Sequence, residues 1–273
     1  VINNEAIEKG NFSNVSQALK SANVDVVDKN GVSYAVLNGD SRVLVLVNGR
    51  KQNFDHLTVS GATNATDLGN ISMDNVDHIE IVRGPNSSLY GEKASAGVIN
   101  IITKAPGPES RTSVTGEYGS WNHRRAAISN SGGNENNRYM ITYSKEKRGN
   151  YHYKDVNGNS HVFPDSKINQ EGATLRYDHY FGNDRASFDF ARNRSKNGGG
   201  LSLRNPLTGI VMYPGRIYDS TVTDMGLTYT FNQKNKGDGT FVRLGRVQDK
   251  TNAPFGSSYS HNLKGLSFEG QKN

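Results

Sequence analysis

The chain has 273 residues, a formal charge of +6, no cysteine and only 34% hydrophobic residues. The missing cysteine excludes disulfide staples and thiolate metal sites, and no run approaches the ~18 consecutive apolar residues of a membrane-spanning helix. With 30 glycines, the composition fits a disordered chain or an antiparallel β-protein with polar loops. The second class includes outer-membrane barrels, whose apolar face uses only alternate residues. The 13 tyrosines and 10 phenylalanines argue against disorder. A positive charge invites a nucleic-acid partner. The densest basic clusters, NHRRAA and KEKRG, fit solvated strand ends as well, so no nucleic-acid partner is assigned. The chain opens at Val1 without a signal peptide, so it is cytoplasmic or its targeting segment has been removed.

Residues 1 to about 105 mix periods. Ile7, Val15, Ala18 and Leu19 lie at near-helical spacing, and Ser13 or Asn14 caps the second short helix, with Gln17 three residues beyond Asn14. Val43 to Val47 are five apolar residues without alternation, the mark of a strand covered on both faces. Asn48-Gly49 then predicts a type I′ turn, because both residues tolerate positive φ. DHIEIVRG and the β-branched GVINIITK read as two further strands. In the first, Ile79, Ile81 and Arg83 share a face, so the guanidinium needs an anionic partner or water. Gly84 frees the backbone to turn and Pro85 fixes φ. Asn86 to Tyr90 form one helical turn closed by Gly91, and the small residues Ala94 to Gly97 allow close backbone packing. For these glycines, turn geometry and a functional role both stand open.

Pro106-Gly107-Pro108 reads as a linker, and beyond it the strands alternate strictly. Tyr139, Ile141 and Tyr143 oppose Arg138, Met140, Thr142 and Ser144. Leu175 and Tyr177 oppose Arg176 and Asp178; Phe188 and Phe190 oppose Ser187 and Asp189. Met225, Leu227, Tyr229 and Phe231 oppose Gly226, Thr228 and Thr230. Strands of roughly nine to eleven residues are expected. The connections alternate too: short at 130–136, 181–184 and 233–239; long at 149–168, at 194–221 and after Asp249. Loops sorted by length to two sides, with tyrosines ending the apolar faces, predict a transmembrane β-barrel wall rather than a soluble sandwich.

VDHIEIVRGPNSSLYGEKASAGVINIITK, preceded by RVLVLVNGR and followed by barrel-type strands, resembles the TonB-dependent outer-membrane receptor family. The resemblance covers residues 1 to about 105 and runs into the barrel start near Arg111. It implies an α+β plug domain over 1–105, then antiparallel transmembrane β-barrel strands over 106–273, seven or eight in number. It makes Arg83, Gly84, Pro85, Tyr90, Gly91 and Gly97 signature residues, with Asn48, Gly49 and Arg50 of the NGR turn. It implies that Arg83 pairs with barrel glutamates and latches the plug. Asn48 stands where relatives carry aspartate, and Val36 where many carry a second plug arginine; Arg42 is the nearest other candidate. The family barrel has 22 strands, so an incomplete barrel is expected: a fragment or half of a split receptor, completed by further chain or a second polypeptide. An eight-stranded barrel has room inside for side chains but not for a hundred-residue plug.

The resemblance further implies a bacterial (Gram-negative) outer-membrane receptor. It would bind a scarce metal chelate, a ferric siderophore, haem or cobalamin, and import it with energy from TonB, ExbB and ExbD. Outer-membrane lipid and lipopolysaccharide would be partners, and no intrinsic cofactor is expected. The family's apical plug region makes Gln52, Asn53, Phe54 and His56 candidates for ligand contact from below. In the first long loop, Tyr151, His152, Tyr153 and His161 are candidates from above, unless they are merely solvated. A receptor-derived sensor or adhesin that binds without transporting is the alternative. No HExxH, Walker or GxSxG frame occurs, so no catalytic residue and no resident metal are expected.

Overall fold

The computed structural model describes residues 1–29, 32–54, 58–59, 62–63, 66–84, 94–198, 203–204, 211–212, 217–232, 239–255 and 257–272. His56, Pro85, Tyr90 and Gly91 lie outside the described residues, as does the helical turn expected at 86–90.

The amino-terminal domain begins with helices α1 (Asn4–Gly10) and α2 (Val15–Ser21). Asn14 caps α2 by accepting the Gln17 amide at 3.2 Å, and the Gln17 side chain accepts the Ser13 amide at 2.9 Å. This is the reciprocal capping box the spacing predicts. Strands β1 (Asp25–Lys29) and β2 (Val32–Val36) form a hairpin. Strand β3 (Val43–Val47) turns into β4 (Arg50–Lys51), and β5 (Thr58–Val59) pairs with β6 (Ala62–Thr63). After a 3-10 turn at Leu68–Asn70 come β7 (Val76–Arg83) and β8 (Gly97–Thr103). The central sheet has the order β4-β3-β8-β7, with β3 and β8 parallel. Val43, Val45, Ile79, Ile99 and Ile101 pack under Val15, Ala18 and Leu19 of α2. The unalternating run in β3 is buried on both faces, as its sequence predicts.

From Arg111 onward the chain is an antiparallel meander. It comprises β9 (Arg111–Gly119), β10 (His123–Gly133), β11 (Asn137–Arg148), a small hairpin of β12 (His152–Lys154) and β13 (Ser160–Val162), and β14 (Ile168–Phe181). Then follow β15 (Asp184–Gly198), the short pair β16 (Leu203–Arg204) and β17 (Val211–Met212), β18 (Ile217–Thr230), β19 (Phe241–Phe255) and β20 (Ser257–Gln271). Eight strands form one open sheet, in which β9 and β20 each pair on one side only.

The wall's polarity is the reverse of a soluble core. Ile141 is 51% exposed and Leu227 55%, while Thr142 is 3% exposed and Asp178 fully buried. One face is apolar and outward; the other is polar and lies against the amino-terminal domain. Three expectations need correction. The strands are 9 to 15 residues long, longer than nine to eleven. The second long loop shrinks to 199–216, because β15 and β18 extend into it. No long connection follows Asp249: β19 runs on to Phe255 and β20 begins at Ser257. The reason is the same each time. Polar residues stay in the ladder, where the backbone pairing continues although the alternation has faded.

Candidate functional site at the seam between domain and wall

The β3–β4 turn aims an arginine at the wall. Asn48 (φ 48°) and Gly49 (φ 77°) are both left-handed, giving the tight turn expected of Asn-Gly. The Asn48 side chain accepts the Thr103 amide at 2.9 Å and donates to Thr103 Oγ1 at 2.9 Å, locking the turn to β8. Arg50 is thereby held 3% exposed. Its Nε donates to Asp224 Oδ1 at 3.1 Å and its Nη2 to Asp224 Oδ2 at 2.8 Å, a bidentate fork. Its Nη1 donates to Asp189 Oδ2 at 3.3 Å. Burial opposes the charge, but the carboxylates of Asp224 and Asp189 outweigh it and raise the guanidinium above its ordinary range. The wall makes room with two glycines paired across β18 and β19, Gly226 and Gly245. A Cβ on Gly226 would stand 2.4 Å from Arg50 Nη1, and one on Gly245 would stand 2.8 Å from Arg50 Cδ.

A second clamp has the opposite sense. Arg125 of β10 reaches from the wall to Asp74 of the domain, and its other amine meets Glu117 of β9. Between the clamps run neutral contacts. Ser72 Oγ meets Ser144 Oγ at 3.3 Å, and Gln170 Nε2 donates to the Gly69 carbonyl at 2.9 Å.

A cavity of about 60 Å³ opens in the same seam, lined in part by Gln52, Phe54, Asp67, Tyr218 and Asp249. Asp67 Oδ1 accepts the amides of Ser33 and Gly69, each at 3.0 Å. Its Oδ2 is buried without a partner among the described residues. Burial, reinforced by nearby Asp249, pushes this carboxyl up to about 7 against the pull of the two amides.

The structure separates the sequence candidates into three places. Arg50, Asn48 and Gly49 form the seam clamp. Arg83 is exposed at the end of β7 and donates to the Asn23 carbonyl at 3.3 Å; no carboxylate pairs with it among the described residues. Gly84 (φ 99°) turns the chain, and its amide donates to the Ala96 carbonyl at 3.1 Å. Gly97 (φ 147°) sits where a Cβ would stand 2.3 Å from the Val82 carbonyl oxygen. Arg42 pairs with neighbouring Asp40 at 2.6 Å, away from the wall.

Gln52 and Asn53 are both buried; Asn53 is turned into the domain, and Gln52 lines the seam cavity. Asn53 accepts the Val45 amide at 2.7 Å and donates to the Val43 carbonyl at 3.0 Å, and Gln52 Nε2 donates to the Arg50 carbonyl at 3.1 Å. The loop candidates sit apart on the β12–β13 hairpin. Tyr151 stacks on Phe163 with ring centres 4.8 Å apart, and Trp121 lies 5.9 Å away. Tyr153 stacks on His161 at 5.4 Å, and His161 Nε2 meets Asp155 at 2.9 Å. That contact holds the Asp155 carboxyl well below the ordinary range. His152 is exposed. No hydrogen bond or ring contact joins the loop set to Gln52, Asn53 or Phe54 among the described residues. No group of three or more His, Asp or Glu is placed to hold a metal ion among them.

The sequence reading missed Asp189, Asp224, Asp74 and Arg125 as clamp partners, and Trp121 and Phe163 in the loop cluster. One signal was available: a glycine inside a strand marks close approach of other atoms, and Gly226 and Gly245 face the same guanidinium.

Residues 1–98 match the family described as the TonB-dependent receptor plug domain. Over 156 residues the chain is 33% identical to the vitamin B12 transporter BtuB of Vibrio cholerae, covering 55% of this chain and 24% of that protein. Over 172 residues it is 32% identical to BtuB of Vibrio vulnificus, covering 60% and 27%. The fold matches the siderophore receptor PirA from Acinetobacter baumannii with a TM-score of 0.74 at 16% identity, over 98% of this chain and 44% of that one. It matches the FrpB iron transporter from Neisseria meningitidis with a TM-score of 0.77 at 14% identity, over 100% and 45%. The chain thus spans about a quarter of the curated relatives and under half of the solved receptors. Over residues 1–98 the chain is similar to the TonB-dependent receptor plug domain, and that domain lies clamped by a buried arginine to the polar face of an open, outwardly apolar strand wall.

Proposed function

We propose that this chain is the plug and leading wall of an outer-membrane receptor that binds a metal chelate outside the cell and imports it with TonB-transmitted energy. The carrying observation is the seam itself. A folded domain fills the polar side of a lipid-type wall and is held there by charge pairs rather than by an apolar interface. Such a seam closes a pore yet can be remodelled, because charged groups released from it are taken up by water. Force is needed for release, since leaving a nanomolar site costs roughly 12 kcal/mol on the standard-state scale. The chelate is of the ferric siderophore, haem or cobalamin class; similarity to vitamin B12, siderophore and iron receptors supports the first and last of these. The TonB, ExbB and ExbD machinery is its energy partner. The β12–β13 aromatic cluster, with Tyr151, Tyr153, His152 and His161, is the candidate outer contact, and Phe54 beside the seam cavity a candidate plug contact.

The test is uptake of labelled cobalamin, haem and ferric siderophores by cells whose sole receptor is the native polypeptide carrying this sequence, with and without TonB. Accumulation of one chelate only when TonB is present is expected. Binding without TonB-dependent accumulation would make the protein a sensor or adhesin. Absence of binding to every chelate tested would overturn the reading.

A further inference from the structure

The inner face of the wall is not evenly charged. Its short-connection end carries arginines: Arg138 is the second residue of β11, Arg185 the second of β15 and Arg243 the third of β19. The ladder sets them in rows. Arg138 faces Asp178, which faces Ser187; Thr228 and Arg243 continue that row, and it ends at Glu269. One row nearer the connections, Tyr180 faces Arg185. One row nearer the Arg50 clamp, Arg176 faces Asp189. Besides the clamp aspartates, four arginines therefore share this end with two carboxylates. Arg176 Nε donates to Asp178 Oδ1 at 3.1 Å, and Arg243 Nη1 to Glu269 Oε2 at 3.2 Å. Arg138 and Arg185 meet no carboxylate among the described residues, and the Nε of each is buried without a hydrogen bond there. Toward the long-loop end of the same face the cation Arg125 is instead matched by Asp74 and Glu117, and Glu146 lies 3.0 Å from His123.

The two arginines without a carboxylate flank one aromatic ring. Arg138 lies over the Tyr180 ring, 4.4 Å from its centre, and its Nη1 donates to the Tyr180 hydroxyl at 3.3 Å. Tyr180 is the ladder partner of Arg185. Arg138 and Arg185 thus stand two strand steps apart, about 10 Å at ~4.8 Å per step. Two guanidinium forks beside a ring suit an anion with several oxygens on planar groups. The plug screens the other two arginines. A Cβ on Gly49 would collide with Arg243 Nη1, and Arg176 Nη1 donates to Thr103 Oγ1 at 3.5 Å. The β3–β4 turn that carries Arg50 therefore lies against Arg243.

We propose that Arg138, Tyr180 and Arg185 form an exit-side site for an anionic chelate, one that presents carboxylate or catecholate oxygens, and that Arg176 and Arg243 join it when the β3–β4 turn moves. This deepens the import reading and rests on it. The site lies inside the wall, between the clamp and the short connections, which in an outer-membrane wall face the periplasm. A solute coming from outside reaches it only after passing the plug. An anion is drawn to this end because the uncompensated arginines are here, and a partly dry interior strengthens their pull. A neutral chelate gains nothing from it.

The test uses the native polypeptide carrying this sequence, extracted in non-ionic detergent, in equilibrium dialysis against two probes: the ferric tris-catecholate trianion and a neutral ferric trihydroxamate. The trianion should be retained more strongly. R138Q/R185Q should weaken its retention about fivefold or more and leave that of the neutral chelate unchanged. K9Q/K20Q, which removes the same charge from the exposed plug surface, should change neither. Heat-modifiable electrophoretic mobility reports folding. Should the double variant misfold, R185Q alone repeats the measurement, since that side chain makes no hydrogen bond among the described residues. A folded variant that retains the trianion like the parent overturns the proposal, as does equal retention of the two chelates by the parent. An equal loss in K9Q/K20Q also overturns it, by showing that net charge alone is read. Uptake is scored apart. If parent cells accumulate no chelate, the import reading falls while the anion site stands on the dialysis. If R138Q/R185Q cells accumulate the trianion like parent cells, the exit role falls while the import reading stands.

Discussion

The plug and the wall solve burial in opposite ways. In the plug, Ile79, Ile99 and Ile101 are fully buried in an apolar core, as in a water-soluble domain. In the wall, Asp178, Ser195 and Ser220 are among the most deeply buried side chains, and Val114, Leu227 and Phe268 are exposed. The wall's burial is thus borrowed from the plug: its polar face is dry where the plug lies on it. An arginine placed at this boundary meets aspartates already out of water, and its charge is worth more there than at a free surface.

The sharpest way to break the comparison is at Arg50. Arg50→Ala leaves Asp189 and Asp224 buried without their cation, and removing one partner of a buried pair costs about 3–5 kcal/mol. Hydrogen exchange should show β3 and β8 losing protection while the wall ladder keeps its own. Equal loss in both would mean that plug and wall unfold as one unit. Adding Asp224→Asn should recover part of the effect, because the pair couples.

Next is pH. Asp67 titrates at about 7 in the folded plug, above the ordinary carboxylate range. Below the ordinary range it is protonated in both folded and unfolded chains and contributes nothing. As pH rises toward about 7 the unfolded chain loses the proton first, so plug stability falls across that window and levels off above it. At about 1.4 kcal/mol per unit the penalty is of order a few kcal/mol. Asp67→Asn keeps an oxygen for the Ser33 and Gly69 amides and removes the charge. It should flatten the profile between about pH 4 and 7, on the order of the titration window, in denaturant midpoints read on the plug. An unchanged profile would place the titration elsewhere.

Gly226→Ala probes the wall side of the same clamp. Its Cβ would overlap the Arg50 guanidinium, and overpacking of this kind costs about 1–3 kcal/mol. The midpoint for plug release should fall, while the β12–β13 hairpin keeps its exchange protection.

These positions show what a single chain discloses. The α2 capping box, the doubly buried β3 and the Asn48-Gly49 turn are local, set by residues within a few positions of each other, and the sequence pattern reveals them directly. The inward and outward faces of the wall are also local, because strand alternation has period two. The clamp is not local. Arg50 lies 139 residues from Asp189 and 174 from Asp224, and only the docking of plug on wall brings them together. The strand period directs attention to Arg83, which shares a face with Ile79 and Ile81. The face alone could not show which arginine the described wall receives. A glycine pair inside strands, Gly226 and Gly245, was the trace the seam left in the sequence, and it points to an arginine only once their register is known.

The smallest effect tests the plug's independence. Asn14→Ala removes the acceptor for the Gln17 amide and for Ser16 Oγ at 2.7 Å. Loss of such a cap costs about 1 kcal/mol. Asn14 also forms a bridge to Ser72, whose hydroxyl touches Ser144 of the wall. If plug and wall are separable, the variant lowers the plug's unfolding free energy by that amount and leaves the exchange of β11 unchanged. If β11 amides near Ser144 lose protection as well, the seam transmits a loss of local helix stability into the wall. The charge clamps would then be too stiff to let the plug move alone.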